Sequence, residues 1–112
     1  MNIHYFNIAG TDYPVCFSAA AIEDIVAAFG GMEAMSEGLL NQDISVVGKM
    51  VTILINAGSE YCRMMGQDYP KKPEGRISAL IGFNEMKDMV EQIFKAMTDD
   101  TERSVEVRSK NA

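Results

Sequence analysis

The stretch Ile3-His4-Tyr5-Phe6-Asn7-Ile8-Ala9-Gly10-Thr11-Asp12-Tyr13-Pro14-Val15-Cys16-Phe17 decides the fold. Ile3 to Ile8 is rich in aromatic and β-branched residues. Val15-Cys16-Phe17 resumes that character after Gly10-Thr11-Asp12, so the two runs predict a β-hairpin. Pro14 has no N–H to give to a ladder, which places the second strand at an edge or starts it after the proline. A bare hairpin is marginal in water and needs a helix packed on one face. That helix follows at once: Ser18 is a good N-cap, and Ile22, Ile25, Val26 and Phe29 recur at helical spacing until Gly30-Gly31 ends the run.

Further along, Met32, Met35 and Leu39 predict a weaker turn or two of helix, in which Gly38 costs up to about 1 kcal/mol of propensity. Asp43 caps the longest helix, from about Ile44 to Met65, with Val47, Met50, Val51, Leu54, Tyr61, Cys62 and Met65 in one stripe. Ile53, Ile55 and Ala57 widen that stripe, which fits a helix central to the core, and Gly48 and Gly58 permit close packing against it. Residues 66–75 hold Pro70, Pro73 and Lys71-Lys72, the composition of an exposed loop. Arg76 to Ile81 is expected as a short helix. Asn84 is expected to cap a last one, on which Met86, Met89, Val90, Ile93, Phe94 and Met97 keep the helical period.

From Thr98 onward the chain is polar. The alternation Ser104-Val105-Glu106-Val107-Arg108 offers a short strand, and the end is expected to fray. The expected architecture is therefore α+β: an N-terminal β-hairpin packed on a small bundle of about four amphipathic helices. Residues 1–98 form a single globular domain and 99–112 a frayed or disordered polar tail. A length of 112 residues leaves no material for a second core.

Composition narrows the function. With 47% hydrophobic and 23% charged residues the chain has the balance of a folding, water-soluble protein. A net charge of −6 disfavours a general nucleic-acid binder, because affinity for a phosphate backbone rests on Lys and Arg. The start, Met1 to Phe6, lacks the basic and apolar regions of a secretory signal, and no apolar run reaches the length of a membrane span, so a cytoplasmic location is expected. Cys16 and Cys62 have no CxxC spacing and are expected as buried thiols.

Reactive constellations are scarce. His4 is the only histidine, so no multi-histidine metal site or HExxH helix can be built. A thiol enzyme pairing His4 with Cys16 across the hairpin is the enzyme-class alternative; the simpler reading makes His4 a hairpin surface residue. Glu23-Asp24 and Asp99-Asp100 with Glu102 are solvated carboxylates, because adjacent residues on a helix do not face one another. Phosphate-binding and nucleophile-elbow motifs are missing from the sequence. No enzyme, cofactor or metal is expected.

Nine methionines in a chain this short are the other distinctive feature. Methionine fills irregular cores and also builds apolar surfaces that adapt to different partners. The residues singled out for partner binding are Met50, Leu54, Tyr61, Met64 and Met65, all on the long helix.

The opening Tyr5-Phe6-Asn7-Ile8-Ala9-Gly10, running into Tyr13-Pro14-Val15-Cys16-Phe17-Ser18 and an Ala-rich helix ending at Phe29-Gly30, resembles the tail-assembly chaperones of long-tailed phages and prophages of Gram-positive bacteria. Leu54-Ile55-Asn56-Ala57-Gly58-Ser59-Glu60-Tyr61, followed by a Pro-containing loop, is similar to that family's middle helix. The resemblance covers roughly the first two thirds of the chain. It implies a non-enzymatic protein of the bacterial host's cytoplasm, a monomer or weak homo-oligomer. Such a protein binds the tape-measure protein, and in some cases tail-tube subunits, until the tube polymerises. The family has no catalytic residues to carry over, and often a longer frameshifted form. The competing readings are another phage structural factor, such as a tail-completion or connector protein, and a small acidic regulatory binding protein.

Overall fold

The computed structural model describes the backbone of residues 3–111 and the side chains of residues 3–98. The hairpin forms first in the chain, from β1 (His4–Ile8) and β2 (Thr11–Val15), paired antiparallel with Ile8 opposite Thr11 and His4 opposite Val15. Its connection is the two-residue turn Ala9-Gly10, with φ of 51° and 83°, the left-handed pair that matches the twist of two antiparallel strands. The second strand therefore starts four residues earlier than its apolar character suggested. Thr11 and Asp12, expected in the turn, are paired strand residues.

Pro14 lies inside that strand, opposite Tyr5. Counting from the tight turn, Ile8–Thr11, Phe6–Tyr13 and His4–Val15 are the hydrogen-bonded pairs, and Tyr5–Pro14 falls between them. Proline's missing N–H thus points to the outer edge, and no ladder bond is lost. On the outer face of the hairpin, Asn7 Nδ2 donates to Asp12 Oδ1 across the strands at 2.8 Å.

Helix α1 (Ala19–Phe29) begins as expected, with Ser18 Oγ accepting from the Ala21 N–H at 3.2 Å. It ends at Gly30, whose φ of 84° lets its N–H donate to the Val26 carbonyl. Its buried face differs from the expected stripe: Ala21 and Ile25 are enclosed and Phe29 is partly buried, whereas Ile22 and Val26 are exposed. With about 100° between successive residues, Ile22 and Val26 stand on one flank of this line and Asp24, Ala27 and Ala28 on the other.

Helix α2 (Met32–Leu40) buries Met35 and Leu39. Gly38 serves packing here, since a Cβ at that position would lie 2.5 Å from the Val46 side chain. Helix α3 (Ile44–Met64) is capped by Asp43, whose carboxylate accepts from Ser45 N–H at 2.9 Å and Val46 N–H at 3.4 Å. At its far end Gly66 adopts a φ of 70°. The Gln67 and Gly66 N–H groups then donate to the carbonyls of Cys62 and Arg63, closing the helix with a Schellman motif.

β2, α1, α2, the last helix and the short turn over Ile77–Leu80 all pack on α3, which makes it the central element. β2 crosses it at Gly58, where a Cβ would sit 2.0 Å from the Pro14 carbonyl oxygen. Only glycine admits that crossing. Phe6, Ile8, Tyr13 and Val15 of the hairpin close one core with the α3 residues and with Ile77, Met89, Val90 and Ile93.

Residues 65–76 form the expected loop, tied back to α3 by Lys72 Nζ donating to Asn56 Oδ1. Two 3-10 turns follow, Ile77–Leu80 and Phe83–Glu85, and then α4 (Met86–Asn111). Asn84 does not cap α4. It falls within the second turn, which is closed by the Gly82 N–H donating to Glu85 Oε1 at 2.9 Å. α4 continues as helical backbone through 104–108, so the alternation there does not form a strand. The expected fraying of 99–112 concerns side chains outside the described residues. The α+β arrangement of a hairpin and four helices is as expected.

Candidate functional site

The five residues singled out on the long helix do not form one surface. Met50 and Leu54 are fully buried and belong to the core, because α3 is enclosed by its neighbours over this stretch. They are withdrawn as contact residues. Tyr61 is half-buried against the core, while Met64 and Met65 stand 77% and 59% exposed beside the 65–76 loop. Of the eight methionines with described side chains, Met35, Met50 and Met89 are buried and Met32, Met86 and Met97 pack against the core. Only Met64 and Met65 remain as surface. Most of the methionine content is therefore packing material.

A different surface is built at the opposite end of α3, about 30 Å away along a 21-residue helix. Here an open groove of about 850 Å³ runs between α1 and the first half of α3. Ala27 and Ala28 of α1 form one wall, Ser45, Gly48 and Thr52 of α3 form the floor, and Ser78 closes the other side. Ser45 and Gly48 keep their part of the floor low and Thr52 turns its Oγ1 back to the Gly48 carbonyl at 3.0 Å, while Lys49 and Ile53 of α3 also line the groove. Gly48 is also where the Ile77–Leu80 turn rests on α3, with Ser78 Cβ only 3.3 Å from where a Cβ on Gly48 would be.

The groove continues into a smaller recess of about 170 Å³ that shares Ile44, Gly48 and Ser78 with it and is bounded by Ile81, Phe83 and Met86. Ile44 and Phe83 are 59% and 78% exposed, so two large apolar side chains stand at this junction in water. Such a placement gains free energy when another apolar surface covers it.

Three charged side chains stand on the groove: Asp24 on the α1 wall, Lys49 on the floor and Arg76 on the side of Ser78. All three residues are exposed. Among the described residues none of the three makes an ion pair.

Elsewhere, Cys16 and Cys62 are buried thiols, as the sequence suggested. His4 is half-buried on β1 opposite Val15 rather than on open surface. No group of three or more His, Cys, Asp or Glu among the described residues is placed to hold a metal ion. Nor is any described helix long and apolar enough to cross a membrane.

The groove carried almost no signal in the sequence, because alanine, serine and glycine on separate segments produce no hydrophobic period. One trace is present: Ser45, Gly48 and Thr52 recur at helical spacing, a small-residue line on the side of α3 away from its apolar stripe. Comparison with protein-family models, with curated proteins and with solved structures finds no match for this chain.

Proposed function

We propose that the chain is a non-enzymatic tail-assembly chaperone of a long-tailed phage or prophage. On this reading the groove between α1 and α3 holds an apolar helical segment of the tape-measure protein, in the bacterial cytoplasm, until the tail tube polymerises. The observation that carries the binding role is the open small-residue floor flanked by exposed Ile44 and Phe83. Small residues let a second helix approach to about 8 Å between axes, and the two large side chains supply the apolar contacts that a docked helix would cover. The assignment to tail assembly draws on the resemblance of the hairpin and of Leu54–Tyr61 to that family.

Release at assembly requires modest affinity at each site, so several copies along one long target is the natural stoichiometry. Co-expression with the tape-measure protein of the same phage tests the proposal. The expected result is a gain in that protein's solubility and co-purification of a complex, both lost when Ala28→Trp fills the groove. No gain in solubility and no complex would reject it, as would a stable ring of this chain alone, which belongs to a connector.

A further inference from the structure

We infer that the groove selects an amphipathic helix carrying carboxylates beside its apolar stripe, held by Lys49 and Arg76. This rests on the groove being the binding surface and adds the chemistry of its occupant. The chain carries 16 acidic against 10 basic residues, so a surface element picked without regard to sign is more often acidic. The groove inverts that balance, with Lys49 and Arg76 against Asp24 alone.

The two bases come from different elements, α3 and the segment leading into the Ile77–Leu80 turn. Both line the groove, Lys49 from its floor and Arg76 from the side of Ser78, which rests on Gly48. Among the described residues neither base pairs with a carboxylate, so both keep donors for a ligand. The apolar occupant that Ile44 and Phe83 call for therefore lies beside two cations and one carboxylate, Asp24. Its own charges near Lys49 and Arg76 are complementary when they are carboxylates, and a base there meets like charge.

The test sets the local charge against the global one. Two synthetic amphipathic peptides of about 18 residues share one Leu/Ala stripe and carry Gln along one flank; the other flank carries Glu in the first peptide and Lys in the second. The net charge of −6 by itself draws the Lys peptide. The inference requires the reverse: by fluorescence anisotropy the intact chain binds the Glu peptide at least about tenfold more tightly. That preference shrinks between about 50 mM and about 500 mM salt. The double variant Lys49→Glu/Arg76→Glu, with its fold checked by circular dichroism, prefers the Lys peptide, and Ala28→Trp weakens both.

Equal binding of the two peptides, or preference for the Lys peptide by the unmodified chain, overturns the inference while leaving the tape-measure complex to be judged by co-purification. Binding that Ala28→Trp leaves intact overturns it too, because the peptide then sits elsewhere. Concentration-dependent dimerisation that Ala28→Trp abolishes gives the groove to a second copy of this chain and likewise refutes it.

Discussion

At Gly58 the carbonyl of Pro14 approaches so closely that a single methyl group has nowhere to go. In an exposed helix Gly→Ala gains up to about 1 kcal/mol of propensity. Here the added carbon meets backbone, which yields only if β2 lifts off α3, so Gly58→Ala is expected to lose about 2–3 kcal/mol net, read as a lower urea midpoint at unchanged slope. Ala9 presents the opposite case. It holds a φ of 51° on the surface, with a Cβ that disfavours the left-handed region, in a turn that asparagine fills more readily. Ala9→Asn is expected to raise stability by about 0.5–1 kcal/mol, seen as a higher thermal midpoint.

Among the elements, the starts and stops of α1 and α3 were legible because single side chains determine them, whereas the start of α4 was misplaced to Asn84. Ser18 and Asp43 satisfy N–H groups at the starts of α1 and α3, and Gly30 and Gly66 take left-handed φ at their ends. Asp43→Ala is accordingly expected to cost about 1 kcal/mol, with faster amide exchange at Ser45 and Val46 as its local signature. What the sequence did not disclose is the roll of α1. Ile22, Ile25 and Val26 are equally apolar, and their choice between core and solvent depends on where α3 lies, a long-range matter that periodicity does not encode. Pro14 left two placements open for a related reason, an edge strand or a later start, and the edge strand is the one that forms. Its effect on a strand depends on whether its nitrogen faces the partner, and the parity of the turn decides that.

Across the whole molecule, α3 carries apolar surface of two kinds at its two ends, the Met64–Met65 tip and the groove near Ile44. The tip was visible beforehand as large residues beside a Pro-containing loop; the groove was not, since a concavity is made by what its residues lack. Met64→Ser and Met65→Ser are expected to move stability by less than about 0.5 kcal/mol, whereas Met50→Ala, deep in the core, is expected to cost about 3 kcal/mol. Parallel denaturation of the three variants checks this. A large loss at Met64 would mean that the tip is structural.

The two sulfurs offer a clock for how this protein breathes. Cys16 follows the hairpin directly and Cys62 lies in the last turn of the central helix, and both are buried. A maleimide reagent reaches either one only when its surroundings part, so the modification rate in native buffer measures the free energy of that parting. Matching opening free energies for the single-cysteine variants, equal to the global unfolding free energy, are the expected signature of one indivisible folding unit. Faster labelling at Cys16 would identify the hairpin as a flap that lifts while the helices stay assembled.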